Sequence, residues 1–262
     1  MVEALSQPNT STEDVGEPKT EANWAGRLKT GVSGLDSMLS GGIPEGKQVL
    51  ITGAPGVGKT LLSFQTLYNC AKSGIPSLYI ALEEDTHDLL KNVQEAIPAL
   101  SDVGDLMKTG MLNIKGQGTL SVFLTKGENA SSTLDQMVSE LDSIIKTTNP
   151  KVICIDSISL IKLLFQGEFE YRNALTHLAV DFRKSGITCL FISEMKSSDL
   201  SVLVFEQEYF IFDGIMALYE SRGEKGRELH MEIVKMRGTK HSRLLAPYDI
   251  TSNGFQILLK EV

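Results

Sequence analysis

Gly53-Ala54-Pro55-Gly56-Val57-Gly58-Lys59-Thr60 fits the pattern G-x-x-x-x-G-K-[ST], and its flanks are the ones that pattern needs. Ahead of it runs Lys47-Gln48-Val49-Leu50-Ile51-Thr52, a short apolar run of β type. Behind it runs Leu61-Leu62-Ser63-Phe64-Gln65-Thr66-Leu67-Tyr68, apolar at helical spacing. Strand, glycine loop and helix in that order form a phosphate cradle. Gly53, Gly56 and Gly58 let the backbone curl until its N–H groups converge, and the helix aims the positive end of its dipole at the same point. The stretch from Gly53 through Ala54, Pro55, Gly56, Val57 and Gly58 to Leu61 is expected to hold a nucleotide. Lys59 would reach the β- and γ-phosphates and the Thr60 hydroxyl would ligate Mg²⁺. A glycine turn before a helix with a chance Lys-Thr is the structural alternative, and the flanks argue against it.

Size and composition agree with a soluble P-loop domain. The chain has 262 residues, 42% hydrophobic and 22% charged, enough for a full core. No apolar run reaches the ~20 residues that span a bilayer, and the N-terminus lacks a basic region followed by an apolar core. Cys70, Cys154 and Cys189 lie far apart in apolar contexts, which reads as buried reduced thiols in an intracellular, cytoplasmic protein. Net charge is −8, and residues 1–23 carry five acids against Lys19, half of it. An acidic balance counts against nucleic acid as a partner, because phosphate neutralisation dominates such binding. Rich in Ser, Thr, Pro and Glu, residues 1–23 read as a disordered acidic tail, and 24–262 as one ATPase domain. Trp24-Ala25 reads as a surface anchor or as cover for the domain's own edge.

Further along, Ser33 is expected to cap a short helix carrying Leu35, Met38 and Leu39. Ser77-Leu78-Tyr79-Ile80-Ala81-Leu82 reads as a buried strand, taken to lie next to the P-loop strand, and it ends in Glu83-Glu84-Asp85, with Thr86 capping the following helix. Carboxylates at the carboxyl edge of such a strand are placed to orient and polarise an attacking water; a charged helix N-terminus is the structural alternative. Val152-Ile153-Cys154-Ile155-Asp156 has the continuous hydrophobicity of a strand buried on both faces, and its terminal Asp156 can hold the Mg²⁺ shell. Strand Ile187 to Glu194 ends in Ser193 and Glu194, polar residues that can cap the strand. The segments Ser157 to Gly167 and Lys196 to Glu208 read as loops; they are poor in cations and lack an aromatic-and-basic groove. Four β-type runs follow: Ile215 to Tyr219, Arg227 to Arg237, Leu244 to Thr251 and Phe255 to Leu259, an antiparallel extension of the sheet. Alternation puts Lys235 and Arg237 on one face and Val234 and Met236 on the other. Two cations together suit either a phosphate contact or a charged edge strand.

The stretch Thr30-Gly31-Val32-Ser33-Gly34-Leu35-Asp36 through Leu39, with Gly41-Gly42-Ile43-Pro44 and Gly46, leads directly into the P-loop; with it go the Glu83-Glu84 pair, Asp156 and Lys235-Met236-Arg237-Gly238-Thr239-Lys240-His241. Together these closely resemble a single-domain, archaeal-type member of the KaiC-like branch of the RecA/RadA ATPases, from about Leu28 to Ile257. The resemblance implies an α/β fold, a RecA-like P-loop NTPase core with a mostly parallel sheet flanked by helices and an antiparallel C-terminal extension. It implies Glu83 and Glu84 as the catalytic pair, Glu84 being the base, and Lys235 and Arg237 as fingers that reach the γ-phosphate held by a neighbouring subunit. His241 would lie near the nucleotide's ribose or base. By the same resemblance Ser193 or Glu194, if not merely capping the strand, would sense the γ-phosphate, and the segments Ser157 to Gly167 and Lys196 to Glu208 would face a ring or filament axis. It also implies ATP and Mg²⁺ at the interfaces of a homo-oligomeric ring, a hexamer, turning over slowly as a switch towards an unidentified protein partner. Two departures stand out. The clock protein of the family has two such domains, and its phosphoacceptor Ser-Thr pair aligns here with Tyr209-Phe210, so autophosphorylation at that site is not expected. A repair ATPase gripping single-stranded DNA and a non-hydrolysing scaffold remain the alternatives.

Overall fold

The computed structural model describes residues 26–117, 130–195, 206–223 and 226–259. The expected tail, Trp24-Ala25 and most of the second axial loop lie outside them.

Among the described residues the chain begins with β1 (Arg27–Leu28), α1 (Leu35–Met38) and β2 (Ile43–Pro44), β1 and β2 pairing antiparallel. The main sheet takes β3 (Gln48–Gly53), β4 (Ser77–Ala81), β5 (Leu112–Lys115), β6 (Val152–Asp156), β7 (Thr188–Glu194), β8 (Gly214–Gly223), β9 (Gly226–Met236), β10 (Ala246–Thr251) and β11 (Gly254–Ile257). Between the strands run α2 (Lys59–Lys72), α3 (Thr86–Ala96), α4 (Val103–Lys108), α5 (Ala130–Thr148), α6 (Ile158–Lys162) and α7 (Glu168–Lys184). Strand order is β11-β10-β9-β8-β3-β7-β6-β4-β5, parallel from β8 to β5 and antiparallel from β8 to β11. The expected α/β architecture therefore stands, and within the C-terminal run β8 joins β3 in parallel while the strands after it alternate.

The parallel strands are continuous apolar runs because both faces are covered. One core cluster, with Val49, Ile51, Phe64, Tyr79 and Leu190, lies on the α2 side. The other, with Leu50, Ile80, Ile155, Leu175 and Phe191, lies under α5 and α7. Alternate residues of β3 go to opposite clusters, as the two-residue period of a strand requires.

Five local expectations are corrected. β4 is not beside the P-loop strand: β7 and β6 lie between them, because a helical crossover can carry the chain past positions that later strands fill. Gly34, at φ 80°, rather than Ser33 caps α1, and no side chain caps it. Asp36 instead ties down the preceding turn, accepting from the Thr30 and Gly31 amides and the Thr30 hydroxyl. Asp85, not Thr86, caps α3 by accepting from the Asp88 amide at 2.9 Å. A bulge opposite Ile215/Met216 inserts one extra residue into β9. Val234 consequently packs towards one core with Ile215, while Met236 joins the other. The first axial segment is also more ordered than a loop: it opens with α6, whose Ile158 and Ile161 are buried.

Candidate functional site

The P-loop leaves the carboxyl end of β3 and enters α2 through Gly58, at φ 91°. A side chain at Gly58 would sit 2.6 Å from Ile250 Cδ1 of the C-terminal hairpin, and one at Gly53 only 2.5 Å from the Leu218 carbonyl. Gly53 therefore needs glycine for close approach to backbone, although its own φ, against the expectation from the curl of the loop, is not positive, and Gly58 needs it for its left-handed backbone. That hairpin supports the loop directly: the Tyr248 hydroxyl donates to the Val57 carbonyl, and the Tyr248 ring stacks on Phe255 at 4.4 Å. Nothing in the P-loop motif itself pointed to Tyr248, 191 residues away.

Lys59 is buried, and its Nζ donates to the carbonyls of Gly53 and Ala54, each at 2.9 Å. Burial lowers its pKa, opposed by the nearby carboxylates of Glu194, Asp156 and Glu83. Beside it Thr60 Oγ1 donates to Asp156 Oδ2 at 2.7 Å, and the Tyr79 hydroxyl donates to the same oxygen at 2.6 Å. Asp156 is buried, and burial pushes its carboxyl above the usual range against the pull of those two hydroxyls and Lys59. A hydroxyl and a desolvated carboxylate form a hard-oxygen donor set of the kind that suits Mg²⁺, with a buried negative charge that a cation would relieve. Tyr79 is a partner that strand periodicity presented only as core. Its hydroxyl is visible as functional only once β4 and β6 are known to be paired.

Glu83 and Glu84 follow β4 at the same edge, because β4 pairs with β6 and Ala81 stands opposite Asp156. Ser157, just past Asp156, donates its hydroxyl to Glu83 Oε1. Glu84 Oε2 accepts from Asn92 Nδ2 of α3 at 3.0 Å. Burial holds the Glu84 carboxyl above its ordinary range, the Asn92 bond opposing, while Asp156, Asp88 and Glu83 add repulsion. Glu84 is thus a carboxylate tuned upwards and held by a side chain two turns along the helix. Ser193 is buried, and the Glu194 amide donates to Ser159 Oγ at 3.3 Å. Lys162 lies within 4.0 Å of Glu168, Glu206 and Glu208, so the cation of the first axial segment is neutralised by its surroundings.

Lys235 and Arg237 are not brought to this edge. Lys235 stands opposite Ile215, which pairs with Leu50, three residues before Gly53. Arg237 donates its amide to the Asp213 carbonyl beside Gln48, five residues before Gly53. At ~3.3 Å per residue they fall short of the Gly53 row by about 10 and about 16 Å along the strands. Their side chains do project together, Lys235 Nζ to the Tyr209 carbonyl and Arg237 Nη2 to the Phe210 carbonyl, each at 3.2 Å. Burial and the neighbouring guanidinium lower the Lys235 pKa, while Asp213 opposes them. His241 lies in the connection from β9 to β10, with Nδ1 2.9 Å from the Ser242 carbonyl. The Ser242 amide in turn donates to the Met38 carbonyl, packing this segment on α1.

Comparison with known proteins gives one consistent result. A family described as ATPase: KaiC matches residues 28–262. A UPF0273 protein of Pyrococcus horikoshii is 32% identical over 87% of this chain and 92% of its own, and one of Thermotoga maritima is 31% identical over 90% and 97%. The circadian clock oscillator protein KaiC of Picosynechococcus is 27% identical over 88% of this chain, which spans 44% of that longer protein. A crystal structure of a KaiC-like protein from Pyrococcus horikoshii superposes with a TM-score of 0.74 at 28% identity, covering 90% of this chain and 100% of that one.

Proposed function

The chain belongs to the KaiC ATPase family, and on that premise we propose that it binds and hydrolyses Mg-ATP at interfaces between head-to-tail copies of itself. The ring so formed, a hexamer by the family resemblance, acts as a nucleotide-dependent switch. In each site Lys59 and the P-loop amides hold the β- and γ-phosphates. Thr60 and Asp156 would hold Mg²⁺, which would supply positive charge to offset that of the phosphates. Glu84, steadied by Asn92, orients the water whose oxygen attacks the γ-phosphorus and takes up its proton as the bond to the β-phosphate oxygen breaks. Glu83, held by Ser157, stands beside it.

One observation carries this reading. The P-loop and the Lys235–Arg237 pair lie at different levels of the same sheet, too far apart to meet on one phosphate. This supports the reading that a cation pair completing the site is supplied by a neighbour, through head-to-tail contacts between unlike surfaces that form a ring where the rotation closes. His241, on the same connection, accompanies the pair into the neighbour's site.

Subunit mixing tests it. Lys59→Ala and Arg237→Ala are each expected to be inactive alone, an arginine finger being worth roughly 10³–10⁵ in turnover. A one-to-one mixture recovers phosphate release, because some interfaces then pair an intact P-loop with an intact finger. No recovery at any ratio rules out supply in trans.

A further inference from the structure

Asp213 stands where β8 begins, buried, between the P-loop strand and the cation pair. It makes two hydrogen bonds with the Gln48 main chain: the Asp213 amide donates to the Gln48 carbonyl at 2.8 Å, and the Gln48 amide donates to the Asp213 side chain at Oδ2, 3.2 Å away. The same Oδ2 accepts from Arg183 Nη2 of α7 at 3.0 Å. Asp213 therefore cannot rotate away without stranding a buried amide, a loss of a kind that costs more than the bond itself is worth.

Arg237 is held on this fixed group twice. Its amide donates to the Asp213 carbonyl at 2.9 Å, and its Nη1 lies 3.9 Å from Asp213 Oδ1. Its other terminal nitrogen donates to the Phe210 carbonyl, so the planar guanidinium spans a carboxylate and a carbonyl while remaining about half exposed. A long side chain that acts across an interface loses rotamer freedom when it engages, and a fixed counter-charge beside its guanidinium removes part of that loss in advance. Lys235 shares the arrangement, since Asp213 is the carboxylate whose charge favours its protonated form.

We propose that Asp213 is a positioning residue for the cation pair, its clamped carboxylate setting where Arg237 and Lys235 are presented to the neighbouring subunit. This rests on the trans reading above. The competing view is that Asp213 only ties β8 to β3 and α7.

Asp213→Asn keeps the shape and an acceptor for the Gln48 amide. It is expected to leave ATP binding at its own P-loop unchanged and to lower turnover about 10- to 100-fold, the scale of an ångström's misplacement. Mixed one to one with Lys59→Ala it regains activity at about a quarter of the interfaces of a randomly mixed head-to-tail ring. Mixed with Arg237→Ala it regains none, both partners being deficient in the same element. Wild-type turnover in Asp213→Asn, or recovery with Arg237→Ala, overturns the proposal. The Lys59→Ala with Arg237→Ala mixture serves as control: failure there removes the trans reading, whereas recovery there without recovery for Asp213→Asn removes only the role of Asp213. Should Asp213→Asn not assemble, Arg183→Met decides, because it strips the ion pair to α7 while the buried Gln48 amide still holds Asp213 Oδ2 in place for Arg237. Turnover no lower than wild type supports positioning, and a loss of turnover comparable to Arg237→Ala overturns it.

Discussion

Replacing Tyr79 by Phe removes one atom from the centre of the site. Tyr79 is fully buried, and its hydroxyl donates to Asp156 Oδ2 at 2.6 Å, an oxygen shared with Thr60. No cavity of consequence forms, so the cost is electrostatic. A hydrogen bond to a charged group contributes about 1.5–3 kcal/mol, equivalent to a fall in Tm of roughly 3–12 °C for a domain of this size. The loss is conditional on pH. Burial raises the Asp156 pKa in the folded state, so its carboxylate costs stability as pH rises from the unfolded pKa through the folded one, and protonation at acid pH relieves that cost. Without Tyr79, which favours the charged form, the folded pKa rises further. Tyr79→Phe is therefore expected to lose most Tm at neutral pH and to converge on wild type in acid. On the proposal that Asp156 holds Mg²⁺, loss of the Tyr79 bond to it should also weaken Mg²⁺ affinity in nucleotide binding about 10- to 100-fold. Thermal melts across pH, with and without Mg²⁺, and Mg²⁺ titrations of fluorescent-nucleotide binding read both effects. Equal loss of Tm at every pH with unchanged Mg²⁺ affinity would refute the reasoning and leave Tyr79 as core alone.

Other outcomes follow from the same contacts. Glu84→Gln should bind ATP as wild type and release almost no phosphate in single-turnover assays. Asn92→Ala removes the bond that favours charged Glu84, so the acidic limb of the turnover profile should move to higher pH, with the position of the alkaline limb unchanged as the internal check. That alkaline limb should fall below the ordinary lysine range, because Lys235 must be protonated and both burial and Arg237 lower its pKa; Arg237→Gln should move it upwards in residual activity. Tyr248→Phe unties the Val57 carbonyl and should weaken nucleotide binding about 3- to 10-fold, on the ~0.5–1.5 kcal/mol of a neutral hydrogen bond, seen as a faster off-rate in stopped flow.

Much of this protein is decided locally and is therefore legible along the chain. The P-loop is a contiguous backbone shape, and Gly53 to Thr60 specify it with the strand and helix that flank them. Continuous apolar runs report strands buried on both faces, and Asp156 ends one of them, so those elements and the carboxylate at that strand's end are apparent without coordinates. Strand order is not local. That β7 and β6 separate β3 from β4 depends on which strands a crossover passes over, and only the folded sheet shows that Ala81 faces Asp156 and brings Glu83, Glu84 and Tyr79 to it. The bulge that sends Val234 and Met236 to different cores breaks a period that the sequence obeys, and the Asp85 cap replaces an equally plausible Thr86. Asn92, Tyr248 and Asp213 carry no motif; each matters through a partner reached across the fold. The separation of Lys59 from Lys235 and Arg237 is likewise a property of strand register, since spacing in sequence cannot say at which level of the sheet two side chains stand.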